Sequence, residues 1–377
     1  MILAQDRVGG RIWTVPDGDH VVELGAQWIH GEVGNSLFDF SSARGLIDTE
    51  SVSYEAEGLF YTSSGEQLNN DIVDRAQAVI RKAYDQCSKF SREPEESWKE
   101  KLPSSVGAFF RKKFLEQFEI QNSLHEGLWN WLMLYEKIDN ACDSMYELSA
   151  LSWGEWSDCD GEWHVNLKNG YSSVITALLD SLKPGVHSLN DEHRPILRLR
   201  EPVDSIHWMV DMDNATSESN PHYSLVEVHA ASGKVYCATH VIVTVSLGVL
   251  KEHLDSWFKP DLPARMRLAI KSLGFGVIDK IFVTFPFAFW EKDCRGIHLV
   301  WTEPEEEGST MADNWVRGIT GFDPVIRQPC TLVCWLGGEE ARFMETLSEE
   351  KIKEALVALL RKFCADLNVP DPVRILR

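Results

Sequence analysis

The stretch Val241-Ile242-Val243-Thr244-Val245-Ser246-Leu247-Gly248-Val249-Leu250 decides the fold class. Its first five residues are all β-branched. Branching at Cβ restricts χ1 and suits the pleated surface of a strand. The run is apolar enough to be buried on both faces, as strands of a parallel sheet are. Ser246-Leu247-Gly248 then reads as a turn into a helix. A parallel core strand followed by a helix accounts for the whole stretch.

Working outward, the period of two continues on both sides. Residues 202–210, 223–229 and 234–237 read as strands, with a polar surface loop over 211–222. Further strands are expected at 280–285, 296–301, 316–320 and 331–335, and a helix at 262–273. A long amphipathic helix fits 348–364, with Ile352, Ala355, Leu356, Leu359 and Leu360 facing inward before Pro370-Asp371-Pro372. Another helix reads from 171 to 182. Residues 71–135 are helical in pattern. Ile72, Ala76, Val79, Ile80 and Ala83 recur at spacings of three and four, as do Val106, Phe109, Phe110 and Phe114. A charged connector over 91–103 separates the two runs. Residues 8–35 are Gly-rich and strand-like. Strand-rich blocks therefore flank a helical insert, the layout of an α/β cofactor domain interrupted by a substrate domain. Periodicity does not say which cofactor.

A chain of 377 residues is too long for one compact core, so two joined domains are expected. The formal charge of −21 repels nucleic acid and anionic membrane, and favours a cationic small molecule. The same charge also serves solubility alone. Eight cysteines are scattered without a CxxC pair or a histidine at metal spacing, so reduced thiols and no metal site are expected. The first seven residues do not read as a signal peptide, and no apolar run reaches the length of a membrane helix. Asn214-Ala215-Thr216 matches a glycosylation sequon but has no visible route to secretion.

Four motifs carry chemistry. Asp6-Arg7-Val8-Gly9-Gly10-Arg11 combines two glycines, which let backbone N–H groups approach an anion, with two fork-shaped cations. Alone, it is equally an ordinary Gly-Gly turn. In Glu23-Leu24-Gly25-Ala26-Gln27-Trp28-Ile29-His30-Gly31, the small residues would let a planar ligand lie against the backbone, flanked by Trp28 and His30. A single histidine is more often a satisfied structural residue. The third motif is the opening stretch. The fourth, Gly274-Phe275-Gly276-Val277-Ile278-Asp279-Lys280-Ile281-Phe282, drives a lysine into an apolar strand. A desolvated ammonium loses hydration, so such a lysine either has a chemical task or snorkels from an edge strand.

In this order the motifs resemble the flavin-containing amine oxidases, and among them the polyamine oxidases of the spermine and acetylpolyamine type. The strings ELGAQWIHG, GEW, VIVTVSLGVLK, DKIF, GEEA and RILR carry the resemblance from the first residues to Arg377. It implies a Rossmann-like FAD-binding domain, incomplete here, interleaved with an α+β substrate-binding domain. The FAD-binding domain is expected over 1–45 and 164–260, and the substrate-binding domain over 46–163 and 261–377. By the same resemblance Arg7, Gly9, Gly10 and Arg11 grip the FAD phosphates. Gly25, Ala26, Gln27 and Trp28 lie along the isoalloxazine, and the backbone at Val203 meets adenine. His30 stands near the substrate amines, and Lys280 holds a water against the reactive flavin nitrogen. Glu147, Ser149 and Glu155 surround the substrate passage.

The implied function is oxidation of a polyamine to an aldehyde, a shorter amine and hydrogen peroxide, by hydride transfer to FAD. The partners are a polyamine and dioxygen, without nucleic acid or membrane, in an intracellular setting, cytoplasmic or peroxisomal. The family's G-x-G-x-x-G segment would precede Met1, Leu3 stands where the ribose-binding acid is expected, and a final flavin helix would follow Arg377. The chain therefore reads as truncated at both ends, and residues 1–377 alone are expected to hold little flavin. A flavin-free polyamine-binding protein, or an oxidase of other amines, stays open as an alternative.

Overall fold

The computed structural model describes residues 1–51, 56–90, 92, 104–119, 121–182, 197–210 and 225–377. The expected loop at 211–222, the sequon at Asn214 and the connector at 91–103 apart from Arg92 lie outside the described residues. Strands in chain order are β1 (Thr14–Asp17), β2 (His20–Glu23), β3 (Leu59–Thr62), β4 (Val203–Val210), β5 (Leu225–Ala230) and β6 (Val235–Ala238). They are followed by β7 (Phe258–Lys259), β8 (Ile278–Thr284), β9 (Ile297–Val300), β10 (Gly321–Pro324), β11 (Thr331–Gly337) and β12 (Arg374–Leu376).

The chain forms two compact units. The first comprises Met1–Pro16, Val21–Gln27 and Asn169–Phe275. Its sheet has the order β6-β5-β4-β7, antiparallel except for the β4–β7 pair. Ile206, Trp257 and Phe258 form its buried centre. The helices Ser172–Ser181 and Ala264–Ser272 fall where the periodicity places them.

Residues 241–245 do not form the expected strand. They run without a ladder partner among the described residues, and Ile242 is 87% exposed. A strand is completed by a neighbour that takes its backbone hydrogen bonds, and local propensity cannot supply one. The turn into the helix does hold. Ser246 caps Leu247–His253, its hydroxyl accepting from the Val249 N–H at 3.3 Å. Parallel pairing in this unit involves Ile2 and Arg198, with Leu3 N donating to the Arg198 carbonyl at 2.9 Å.

The second unit comprises Asp17–His20, Trp28–Lys168 and Gly276–Arg377. Its six-stranded sheet runs β12-β8-β11-β10-β9-β3, antiparallel except for the β3–β9 pair. Ile281, Val283, Leu332, Cys334 and Leu336 point into a core closed by Leu356, Leu360 and Phe363 of the Glu349–Phe363 helix. Ser348 caps that helix, with Glu349 and Glu350 in its first turn and Arg361 and Lys362 in its last, each matching the helix dipole.

A second core lies among the helices Asn70–Phe90, Val106–Leu115 and Ser123–Asp139. Val73, Ala76, Ile80, Ala83 and Cys87 line the buried face of the first, at helical spacing. Ser105 and Asn122 cap the other two. The expected strand at 316–320 is instead a 3₁₀ turn, Trp315–Gly318, and the strand starts at Gly321. Buried Trp315 and Ile319 stand four apart, a helical spacing that a five-residue apolar window does not separate from alternation. All eight cysteines are free thiols. Among the described residues no helix is long and apolar enough to cross a membrane.

Candidate active site

Lys280 enters the second unit on β8, between β12 and β11 in the sheet order. It is not an edge-strand lysine that snorkels outward: it is only 8% exposed. Register places Trp335 of β11 directly opposite it, and the ammonium lies 4.5 Å from the Trp335 ring centroid. A cation over an indole face is attracted by the ring quadrupole. Trp335 in turn stacks on Trp28, with centroids 5.8 Å apart and planes 25° apart.

The Trp28 segment is held by short-range pairing. Ile29 and Val165 exchange both backbone hydrogen bonds at 3.1 Å. Ile29 is buried, so alternation sends Trp28 and His30 to the opposite face. Gly31 follows at φ +75°, and a Cβ there would lie 2.3 Å from the Cys159 carbonyl oxygen, so this turn requires glycine. Trp28 Nε1 donates to Asn166 Oδ1 at 3.1 Å, and its ring meets His164 edge-on at 4.6 Å. His30 lies 5.7 Å from His164 and 4.6 Å from Trp163 by ring centroids. Its Nδ1 is 2.9 Å from the Trp163 carbonyl oxygen. A carbonyl only accepts, so Nδ1 carries the hydrogen and Nε2 of the neutral ring is left as an acceptor.

His30 and Trp163 stand at a cavity of about 750 Å³. Tyr84, Trp131, Tyr135, Trp153 and Trp156 supply aromatic walls. Among the described residues, Asp85, Glu136, Asp139 and Asp158 supply four carboxylates against one lining arginine, Arg81. The Tyr84 hydroxyl donates to Glu136 in a short hydrogen bond, and Asn140 Nδ2 reaches the same hydroxyl at 3.2 Å. Burial, and then the Glu136 charge, hold the Tyr84 phenol far above its usual range. The phenol therefore stays protonated and donating, with Glu136 accepting. Aromatic faces and carboxylates together bind organic cations and exclude anions.

The sequence-derived residues divide between the units. Lys280, Trp28 and His30 fall in the second, joined by Trp335, His164 and Trp163, which sequence reading missed. Strand register and stacking bring those three in, and neither leaves a local signal. Glu147, Ser149 and Glu155 are exposed and outside the cavity lining, whereas Trp153 and Trp156 of the same segment line it.

In the first unit, Gly9 and Gly10 adopt φ +100° and +57°, and a Cβ on Gly9 would lie 2.8 Å from the Ile12 carbonyl oxygen. Arg7 folds over this turn, donating to Gly10 O at 2.7 Å and Ile12 O at 3.0 Å. Arg11 is exposed. A Cβ on Gly25 would lie 2.0 Å from the Arg11 carbonyl, so chain crossing alone demands that glycine. Ala26 is exposed and donates its N–H to Arg11 O at 3.0 Å, while Gln27 ends the segment partly buried. Val203 opens β4 and pairs with Ala230.

The family model for flavin-containing amine oxidoreductases matches residues 4–377. The chain belongs to this family. It is 31% identical to the human peroxisomal N(1)-acetyl-spermine/spermidine oxidase over 402 residues, covering all of this chain and 75% of that protein. The cattle protein of the same name is 29% identical, with the same coverage. Among solved structures, putrescine oxidase bound to putrescine superposes with a TM-score of 0.66 at 18% identity, covering all of this chain and 78% of that one. That likeness bears on the fold, and it bears out the α/β class expected from sequence. Cyclohexylamine oxidase from Brevibacterium oxydans superposes with a TM-score of 0.65.

This amine oxidoreductase is thus an enzyme whose cofactor is a flavin, FAD, and whose substrates are small amines. The Arg7–Arg11 turn fits the anionic part of such a cofactor. It offers two guanidinium groups beside two glycines in the left-handed region, and a Cβ on Gly10 would meet nothing within 4 Å.

Proposed function

We propose that the protein oxidises polyamines such as spermine, spermidine or their acetylated forms. The carrying observation is the cavity that starts at His30 and is walled by aromatic rings and four carboxylates. A polyamine is a flexible chain of ammonium groups and methylenes, and both parts find partners there. The first unit is assigned to FAD, with Arg7, Gly9, Gly10 and Arg11 on its phosphates, Val203 at adenine, and Gly25, Ala26 and Gln27 leading to Trp28. The second is assigned to the substrate.

When bound, FAD supplies the hydride acceptor. The chain's residues do the rest. Glu136, Asp139, Asp85 and Asp158 bind the ammonium groups away from the reacting nitrogen. His30 Nε2 takes a proton from the reacting ammonium, leaving a neutral amine whose C–H can be given up as hydride. Lys280 holds a water by its ammonium beside Trp335. In the overall reaction the amine loses two electrons and two hydrogens to become an imine. Water splits the imine to an aldehyde and a shorter amine, and dioxygen is reduced to hydrogen peroxide. The exposed Glu147, Ser149 and Glu155 are assigned to the approach to the cavity. An intracellular site, cytoplasmic or peroxisomal, goes with this reading.

The test is peroxide release from the flavin-loaded protein with spermine, spermidine, their acetyl forms and benzylamine side by side. A polyamine is expected to be the best substrate. Preference for benzylamine would sink the reading, and a flavin-loaded protein that binds spermine without releasing peroxide would remove the oxidation step from it.

A further inference from the structure

The four-stranded sheet of the first unit carries a cluster that amine oxidation does not use. The antiparallel register of β4 and β5 sets His207 opposite Glu227 and Ser205 opposite His229. Residues two apart share a face, so His207, Glu227 and His229 project from one side of the sheet. Directly opposed residues have Cβ atoms roughly 5 Å apart. Their ligand atoms, one from each side chain, all lie within 4.8 Å of one another, and all three residues are partly buried. The two imidazoles stack with centroids 4.1 Å apart and planes 24° apart. His229 Nε2 is 3.1 Å from Glu227 Oε2, and Ser205 Oγ is 3.1 Å from His207 Nε2.

The plain alternative is a pair of hydrogen-bonded histidines on a sheet surface. Two imidazoles stacked this closely disfavour double protonation, because each cation would face the other. Neutral imidazole is the ligand form.

We propose that His207, Glu227 and His229 bind a divalent first-row transition ion such as Zn²⁺. Two nitrogens and one carboxylate oxygen suit zinc, nickel or copper, whereas magnesium and calcium require oxygen donors. Tetrahedral zinc with Zn–N of about 2.0–2.1 Å places its ligand atoms roughly 3.3 Å apart. His229 and Glu227 already meet that spacing. Rotation about the side-chain torsions brings in His207 while the strand ladder stays as it is. Water completes the coordination, and Ser205 remains beside His207 to orient its ring. The bound ion ties β4 to β5 and stabilises the sheet by mass action. Lys259 of β7, paired with His207 in register, opposes the ion electrostatically and limits its affinity.

The test uses the whole chain, stripped with a chelator and titrated with Zn²⁺ by calorimetry and Co²⁺ by visible absorption. One equivalent is expected to bind, with a rise in the melting temperature. His229→Asn and Glu227→Gln are each expected to weaken binding by about tenfold or more. Glu227→Gln keeps the side chain's shape, so it tests the site even where His229→Asn disturbs folding, which far-UV circular dichroism reports. Lys259→Gln is expected to tighten binding. Cys237 lies opposite Glu227 on β6 and is exposed, so the titration is repeated after thiol alkylation. Binding that survives alkylation supports the histidine site. Binding lost on alkylation, equal affinity in wild type and Glu227→Gln, or no binding by wild type overturns it.

Discussion

Two apolar stretches of this chain read alike as sequence and end in different environments. Ile278–Thr284 forms β8, paired with β11 along its length and with β12 over Phe282, Val283 and Thr284. Residues 241–245 have no ladder partner among the described residues, and Ile242, Val243 and Val245 are exposed. The second stretch has the stronger β-propensity. The difference teaches that burial comes from the neighbour, since a strand's own residues supply only half of each ladder hydrogen bond.

The sharpest way to break that comparison is to shorten one side chain in each stretch. Ile281 is fully buried, so Ile281→Ala is expected to cost about 2–5 kcal/mol in urea unfolding. Ile242→Ala is expected to change stability by less than about 0.5 kcal/mol. An equal cost would mean that something covers residues 241–245 in solution.

The same sheet holds a buried histidine that sharpens the point through pH. His298 of β9 is 3% exposed and packs between Phe60 and Trp131, with Nε2 at 3.0 Å from the Glu57 carbonyl oxygen. Burial pushes its pKa from 6.5 down to about 4. The unfolded chain then binds the proton first, so stability is present above pH 6.5 and is lost as pH falls toward 4. The loss amounts to at most about 3.4 kcal/mol. His298→Phe is expected to remove this part of the acid sensitivity, seen as a flatter melting temperature against pH. An unchanged slope would clear His298 of that role.

Within β8 itself, Lys280→Met tests chemistry separately from folding. Peroxide production is expected to fall roughly tenfold to hundredfold, matching the 1.5–3 kcal/mol of a charge-assisted hydrogen bond, while flavin absorbance is retained. Unchanged turnover would remove Lys280 from the site, and loss of flavin would make it structural.

The smallest effect separates cavity carboxylates from exposed ones. Glu136→Gln keeps an acceptor for Tyr84 but loses the charge. It is expected to weaken spermine binding relative to an acetylated form by about 1.5 kcal/mol, the low end for a charged hydrogen bond. Glu155→Gln, outside the cavity lining, is expected to change the ratio little. Equal losses in the two variants would mean that the cavity does not read the terminal ammonium.

Much of the fold was legible because it rests on interactions within a few residues. Ser246 and Ser348 cap the helices that follow them, and the three- and four-residue spacing around Val79 marks a face that is buried. Lys280 in an apolar run was visible for the same reason. Residues 316–320 were misread because a short apolar window carries both periods. Glu147, Ser149 and Glu155 pointed to a segment whose tryptophans, one or a few positions away, line the cavity instead.

By itself, then, the sequence determined the amphipathic helices, their caps and the presence of a lysine in a strand. Each depends on chain neighbours and on the conformations that glycine, serine and branched side chains prefer. Tertiary structure decided which apolar stretch is buried, that Trp335 rather than another residue faces Lys280, and that the carboxylates at Asp85 and Glu136 share one cavity. It also decided that His207 stands against Glu227 and His229, about 20 positions on. These are matters of register and helix packing. A one-residue slip turns every side chain of a strand to the other face, and no local preference along the chain specifies which register prevails.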